Sequence, residues 1–181
     1  MPALVELREQ GVVGAVGVGM NQSRMLARFL RETDVDVVML AGRYTLLEQG
    51  AGDDVLPAAI ATGKSVVAVG VFNSGLLARE QVPSDAKYDY RQASPQLLQR
   101  ARDLATVCES HGVSLPAAAL AFPLQHPAIV DVTVGMRTPE QVSRNLQLLA
   151  VETPPDLWRE LEERQMLRPA GRLGTGAGGG R

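Results

Sequence analysis

The chain has 181 residues, of which 45% are hydrophobic and 21% charged, and its formal net charge is −2. This length suits one domain with a sizeable core, and the composition excludes a disordered chain and argues against nucleic acid as a partner. The single Cys108 excludes an intrachain disulfide, and two histidines beside it are too few for the usual metal-ligand clusters.

The amino terminus does not resemble a targeting signal. The segment MPALVELREQ carries acidic residues where a signal peptide has positive charge followed by an apolar block. No stretch of the sequence stays apolar over the ~18 residues of a membrane span. We therefore expect a cytoplasmic protein that does not associate with membranes.

Continuous apolar runs of strand length recur along the chain, at residues 12–18, 35–40, 65–71 and 129–134. Because they do not alternate with polar residues, they are typical of strands buried on both faces of a parallel sheet. Helical patterns lie between and after them, at residues 23–32 with Ser23 as N-cap, 46–62 ending at Gly63, 94–110, 114–125, 139–150 and 155–166. This order predicts repeated βα units, in either an open doubly wound sheet or a (β/α) barrel.

The glycines of GAVGVG (residues 14–19) test whether the chain forms an open doubly wound sheet that binds a dinucleotide. Their spacing approaches the dinucleotide fingerprint, but they lie inside the predicted strand and not in the turn after it. Asp34 and Asp36 stand at the beginning of the second strand, whereas a ribose-binding carboxylate would lie at its far end. The pattern favours a barrel, in which Asn21 and Gln22 occupy the ligand-binding end of the first strand.

Polar residues follow each predicted strand, and in a parallel sheet they gather at one rim. The residues expected there are Asn21, Gln22, Arg43, Tyr44, Asn73, Ser74, Arg137 and Thr138.

The segment after the last strand is richest in groups that suit a phosphate. Gly135 permits close backbone approach, Thr138 caps the following helix, and Arg137 adds a full charge. Gln141 and Asn145 lie four residues apart and share a helix face. This segment predicts the binding of an adenosine phosphate.

Four motifs in this order, AVGVGMNQ, AGRYTLLEQ, FNSGLLA and GMRTPEQVSRNLQLL, resemble the aldo/keto reductases, most closely the aldose, L-fucose and pyridoxal dehydrogenase-like branch. The resemblance covers residues 1–166. It implies a (β/α)8 barrel that binds NADP or NAD without a Rossmann fold and moves a hydride between nicotinamide and a sugar, aldehyde or ketone. The remaining residues 167–181 are glycine-rich and are expected to form a flexible tail.

The resemblance also implies that the chain corresponds to about half a barrel, namely strands five to eight with their helices. A whole barrel takes ~250 residues, and the family's catalytic Asp, Tyr, Lys and His lie on the first four strands. No catalytic residue is therefore assigned here. Lys64 is expected at the opposite end of the barrel, and His111 is expected to contact the carbonyl groups at the end of its helix.

The resemblance implies a set of cofactor contacts. Asn21 corresponds to the residue facing the nicotinamide carboxamide, and Phe72 either stacks on nicotinamide or packs in the core. Asn73, Ser74 and Leu76 lie on the loop that passes the pyrophosphate. The residues matching the segment that holds the adenosine end are Gly135, Met136, Arg137, Thr138, Gln141 and Asn145.

Two questions stay open at this point. Either Arg137 or Arg144 would supply the positive charge that binds a 2′-phosphate, so the choice between NAD and NADP as cofactor stays open. The chain is interpreted as the cofactor-holding half of an oxidoreductase acting on a small carbonyl or sugar. The alternatives are a catalytically inactive dinucleotide-binding module and a half-barrel that self-associates through its exposed edges.

Overall fold

The computed structural model describes residues 1–89 and 91–168. All four predicted strands are present and pair in parallel, in the order β1 (Gly17–Met20), β2 (Val37–Ala41), β3 (Ser65–Val69) and β6 (Ile129–Thr133). Between β3 and β6 the chain adds a short antiparallel hairpin of β4 (Lys87–Tyr88) and β5 (Arg91–Gln92), which the sequence pattern did not predict.

The first strand begins later than the apolar run at 12–18 predicted. The Val16 N–H donates to the Asp36 carboxylate at 2.7 Å, which anchors the segment before β1 to a side chain. Gly17 then pairs with Val37, and a Cβ at Gly17 would collide with the Val37 carbonyl oxygen. Glycine is required here because the two backbones approach so closely.

The described part of the chain contains seven α-helices: α1 (Pro2–Glu9), α2 (Ser23–Glu32), α3 (Val55–Thr62), α4 (Pro95–Ser110), α5 (Leu115–Ala121), α6 (Pro139–Leu149) and α7 (Pro155–Glu163). The helix predicted over 46–62 begins only at Val55. The Thr45 hydroxyl accepts from the N–H groups of Leu47 and Glu48, so this segment forms a turn instead of a helix. Gly63 ends α3 in the left-handed region, as predicted.

Ser23 is not the N-cap of α2, so this prediction was wrong. Gln22 holds the cap position, and the Ser23 hydroxyl donates to the Asp54 carboxylate at 2.8 Å. Asp54 also accepts from the Val55 N–H and thereby caps α3. The serine therefore joins the beginnings of two neighbouring helices and does not cap its own.

One face of the sheet carries the core. Val38 and Leu40 of β2 are buried together with Leu26 and Leu30 of α2. The opposite face is less covered, and Met39 is 43% exposed on it. The expectation of burial on both faces was therefore wrong, because the helices of the described structure cover one side of a four-stranded sheet.

A second part of the core forms among α4, α5 and α7. Leu104, Leu115, Leu157 and Leu161 are buried there. Cys108 is also buried, and the loss of solvent raises the pKa of its thiol to about 12. A neutral thiol of this kind is a packing group and not a nucleophile.

The described structure extends two residues beyond the expected boundary at 166. Leu167 is buried, and the Arg168 N–H donates to the Gln49 side chain at 3.0 Å. The Arg168 guanidinium forms an ion pair with Asp53. Residues 169–181, most of the expected tail, lie outside the described residues. None of the helices in the described part of the chain has the length and apolar character that crossing a bilayer requires.

Candidate functional site

Because the four strands are parallel, the loops that follow them lie at one edge of the sheet. A cavity of about 520 Å³ opens there. Its walls come from the loop after β3, from the segment leading into β4 and from the start of α6; among its lining residues are Phe72, Ser74, Arg79, Asp85, Lys87, Gly135, Gln141, Arg144 and Asn145. We call this the first cavity.

A second cavity of about 480 Å³ lies at the same edge, over the ends of β1, β2 and β3. Asn21, Arg43 and Asn73 line it. Ser74 and Lys87 line both cavities, so the two spaces adjoin at these residues.

The loop after β3 holds an unusual backbone. Asn73 and Ser74 have φ values of 47° and 60°, in the left-handed region that non-glycine residues rarely adopt. Asn73 is 4% exposed, and its Oδ1 has no hydrogen-bond partner within the described structure. An orphaned buried amide on a strained loop beside a cavity is typical of a ligand-binding position.

The hairpin of β4 and β5 is fastened to the sheet by Arg43. The Arg43 guanidinium donates to the Tyr88 hydroxyl at 3.2 Å and to the Asp89 carboxylate at 3.1 Å. The Tyr88 hydroxyl in turn donates to Glu48 at 2.7 Å. Burial and the neighbouring Glu48 carboxylate raise the pKa of Tyr88 far above its ordinary value, so this phenol stays protonated and structural.

The N-terminus of α6 is capped from within the chain. The Thr138 hydroxyl accepts from the Gln141 N–H, and the Gln141 side chain accepts from the Arg137 N–H at 2.7 Å. A hydrogen bond with Thr138 also lowers the pKa of Glu140, which keeps an anion at this helix end. The Arg137 N–H and the Thr138 hydroxyl belong to the predicted phosphate site at the first turn of α6. Both are therefore already hydrogen-bonded to another group of the protein.

The structure brings together most of the residues that the resemblance selected. Those lining the first cavity are Phe72, Ser74, Gly135, Gln141 and Asn145, and those lining the second are Asn21, Asn73 and again Ser74.

Four of the selected residues line neither cavity. Leu76 is fully buried in the core. Arg137 and Thr138 are exposed beside α6, and Met136 faces the apolar groove described below.

Two basic residues of the first cavity, Arg79 and Lys87, are absent from the selected set. Both lie between β3 and β5, where the sequence carried no hairpin signal. Arg144, one of the two candidates for a 2′-phosphate, lines the first cavity, whereas the other, Arg137, does not.

Tyr44 and His111 depart from their predicted environments. Tyr44 was predicted at the polar rim but is buried, with its ring stacked on Phe122 at 5.1 Å between centroids. Burial raises the pKa of Tyr44 to about 12. The His111 ring was predicted to meet helix carbonyls; it instead bonds Glu160 of α7 at 2.6 Å, and this contact lowers the pKa of Glu160.

A separate surface lies between β6 and α6. We call it the apolar groove; it encloses about 490 Å³ and is lined mainly by Leu120, Leu124, Val130, Val132, Val134, Met136, Val142, Leu146 and Leu149. Val130 and Leu146 are 60% and 63% exposed, and α6 has no buried residue. The groove borders the unpaired edge of β6.

Parallel strands joined by helices, with cavities gathered at the carboxyl ends of the strands, define an α/β protein. The sequence model of the Aldo/keto reductase family matches residues 1–165. The chain belongs to this family.

Two curated relatives illustrate the match. The chain is 45% identical to D-threo-aldose 1-dehydrogenase of Pseudomonas sp over 166 residues, which is 92% of this chain and 50% of the relative. It is 36% identical to pyridoxal 4-dehydrogenase of Microbacterium luteolum over 165 residues, 91% of this chain and 48% of the relative. The chain thus spans about half the length of the curated relatives it matches.

Solved structures agree in fold. The apo form of aldo-keto reductase AKR11C1 from Bacillus halodurans superposes with a TM-score of 0.70 at 21% identity, covering 90% of this chain and 54% of that one. The glycerol dehydrogenase AKR11B4 from Gluconobacter oxydans gives 0.67 at 21% identity, with 88% and 51% covered. The four-stranded sheet and its helices therefore match about half of a TIM barrel.

Proposed function

We propose that this chain provides the cofactor-binding surface of an NAD(P)-dependent aldo/keto reductase that acts on a small sugar, aldehyde or ketone. The proposal draws on the family membership and on relatives named as aldose and pyridoxal dehydrogenases. The observation that carries it is the first cavity, where residues from two distant segments, 72–74 and 135–145, converge.

The residues of the two cavities fit a dinucleotide. Arg79 and Arg144 supply positive charge to the first cavity, and Phe72 is a half-buried aromatic ring at its wall. Asn73 in the second cavity has an amide group that the protein leaves unsatisfied. When bound, the nicotinamide would supply the hydride chemistry, and no residue of this chain is proposed as the catalytic acid.

Each half of the cofactor has its own set of residues in this proposal. The second cavity, with Asn21 and Asn73, would hold the nicotinamide half, because amide groups can pair with the carboxamide. The first cavity, with Gln141 and Asn145 on one face of α6, would hold the adenosine half. Arg144 is the proposed partner of a 2′-phosphate, since it lines this cavity and Arg137 does not.

Calorimetric titration of the chain with NADP and NAD tests the proposal. Gly135→Phe should abolish binding, because an added Cβ at Gly135 meets no atom within 4 Å and the ring can enter the first cavity without disturbing the fold. Gly14→Phe is the matched control, since Gly14 also has open space around it and lies outside both cavities. A folded wild-type chain that binds neither dinucleotide, or a Gly135→Phe variant that binds normally, would contradict the proposal.

The apolar groove supports a second candidate function, in which two copies of the chain associate. We propose a second copy as the occupant because both sheet edges, β1 and β6, are unpaired within the described structure and have the same polarity. Two four-stranded sheets related by a twofold axis supply the eight strands of a closed barrel.

Light scattering at micromolar concentration tests this association. The wild type should have the mass of a dimer, and Leu146→Glu should give a monomer because it places a charge in the groove. Ile60→Glu on α3 is the control, since Ile60 is exposed but outside the groove. A monomeric wild type would refute this candidate.

A further inference from the structure

Residues 166–168, which we call the strap, join the segment after α7 to the loop that follows β2. Leu167 is buried in the core. The Arg168 N–H donates to Gln49 Oε1 at 3.0 Å, across 119 residues of sequence. The strap therefore reaches a loop that leaves the sheet at its carboxyl edge, where the cavities lie.

Both atoms of the Gln49 side-chain amide are hydrogen-bonded inside the protein. Gln49 is buried, and its Nε2 donates to the carbonyl oxygens of Thr45 and Leu46 at 3.2 and 2.9 Å. Its Oε1 accepts from the strap. Burying an amide is unfavourable unless its donors and acceptors are paired. The strap and the segment at Thr45 therefore hold each other in place through one side chain.

The segment that Gln49 binds is a tight turn, residues 45–48, which we call the Thr45 turn. The Thr45 N–H donates to the Glu48 carbonyl at 2.6 Å, and the Thr45 hydroxyl accepts from the Glu48 N–H at 3.0 Å. The Glu48 carboxylate accepts from the Tyr88 hydroxyl of β4 at 2.7 Å. The turn thus contacts the hairpin through Glu48 and the strap through Gln49.

The hairpin residues at the end of this series of contacts form part of the second cavity. Tyr88 and Asp89 line it together with Arg43, which donates to both of them. Arg43 lies two residues before the Thr45 turn, and its carbonyl accepts from the Ala51 N–H at 3.2 Å. The position of this wall of the cavity therefore depends on the loop after β2.

We propose that Gln49 is a positioning residue that transmits the placement of the strap, through the Thr45 turn, to the β4–β5 hairpin and so fixes one wall of the second cavity. The inference goes beyond the proposed function, because it concerns the shape of the cavity and requires no particular ligand. Energetic coupling between two sites is reciprocal, so a change at the hairpin must also alter the strap.

Hydrogen exchange of backbone amides in the full-length chain tests the coupling from the strap to the hairpin. Arg168→Pro removes the N–H that Gln49 accepts. Arg168→Ala is the matched control, since it keeps this N–H and loses the same ion pair with Asp53. The amide observed is the Ala93 N–H, which donates to the Ala86 carbonyl at 2.9 Å beside the hairpin.

The Val66 N–H, which donates to the Ala128 carbonyl at 2.9 Å, is the internal reference in the sheet. The ratio of the Ala93 to the Val66 exchange rate should rise about tenfold in Arg168→Pro, the effect of losing one hydrogen bond. In Arg168→Ala the ratio should stay within about twofold of wild type. An equal ratio in the two variants would show that the strap only stabilises the fold as a whole, and would overturn the proposal.

The reverse direction is tested from the hairpin. Tyr88→Phe keeps the ring and removes the hydroxyl that donates to Glu48, so the Arg168 N–H should exchange several times faster relative to Val66. Arg91→Ala, an exposed change on the same hairpin, should leave the Arg168 N–H at the wild-type rate. A wild-type rate in Tyr88→Phe would also overturn the proposal, and this result decides the matter if Arg168→Pro does not fold. No ligand is added, so failure of the proposed function would leave these outcomes unchanged.

Discussion

The two ends of the parallel sheet differ in how many of their charged groups have partners within the protein. At the amino end, Arg8 pairs with both Asp34 and Asp36. The Lys64 ammonium donates to the Leu30 and Thr33 carbonyl oxygens at 2.8 and 2.7 Å. The charged groups next to β2 and β3 at this end thus have partners supplied by the fold, as expected for the end of a barrel that serves stability.

At the carboxyl end, Arg43 is paired with Asp89, but several other polar groups have no partner among the described residues. The ammonium of Lys87 and the guanidinium of Arg144 form no ion pair with any described residue, and Asn73 keeps a buried oxygen unsatisfied. The fold does not gain stability from these groups. The charged groups at the amino end therefore stabilise the fold, whereas the unpaired groups at the carboxyl end fit the ligand site proposed above.

The largest expected effect is on stability, at the amino end. Lys64→Met keeps the apolar stem but leaves the Leu30 and Thr33 carbonyls without their donor, so the free energy of unfolding should fall by about 2 kcal/mol. Urea denaturation measures this loss. Lys87→Met is the control at the other end and should change stability by less than about 0.5 kcal/mol. Equal free energies of unfolding for the two variants would contradict the claim that the amino end contributes more to stability than the carboxyl end.

The next effect is on binding, at the carboxyl end. Arg144→Ala should weaken NADP about tenfold, because a phosphate loses a charged partner, and should change NAD far less. Calorimetry with both cofactors measures the difference. Arg102→Ala on α4, away from both cavities, should bind like wild type. An equal loss for NADP and NAD would contradict the pairing of Arg144 with a 2′-phosphate.

The variant Asn73→Gly should be more stable than wild type but bind a dinucleotide less tightly. Glycine tolerates φ of 47° and removes the unpaired amide, so the free energy of unfolding should rise by about 1 kcal/mol while dinucleotide binding weakens. Ser74→Gly has a similar φ but no buried orphaned group, and it should stabilise less. Denaturation and calorimetry on both variants measure these changes. A destabilised Asn73→Gly would show that the fold, and not a ligand, uses this amide.

The smallest effect concerns pH. Hydrogen bonds from Arg8 and from the Val16 N–H lower the pKa of Asp36 below its ordinary value of 3.8. Because the folded pKa is the lower one, the ionised carboxylate stabilises the fold above pH 3.8 and loses this contribution as pH falls below it. Asp36→Asn should lower the melting temperature at pH 7 by about 2–4 °C.

The melting temperature of wild type should then approach that of Asp36→Asn as the solution is acidified through this range. Asp103→Asn on α4 is the control, since it should melt like wild type throughout. Curves for wild type and Asp36→Asn that stay parallel down to the acid range would show that Asp36 does not contribute through its charge.

The linear pattern of the sequence was enough to predict several elements and to miss others. The apolar runs predicted all four parallel strands, the end of α3 followed from Gly63, and α4 ends at Ser110 as predicted. The hairpin of β4 and β5 was missed because two-residue strands carry no periodic signal, and their position depends on Arg43 from a distant loop. Tyr44 was misplaced because stacking on Phe122, a tertiary contact, decided its burial.

What the sequence by itself determined is the class of fold, the positions of the strands along the chain, the family and the segments that gather at the candidate site. These depend on local apolar periodicity and on motif spacing, which are properties of the linear chain. Only the tertiary structure decided which side chains line the cavities: it placed Arg144 and Lys87 in the cavity walls, left Arg137 outside and buried Leu76. The reason is physical, because access to a cavity and the pairing of charges depend on neighbours that are remote in sequence.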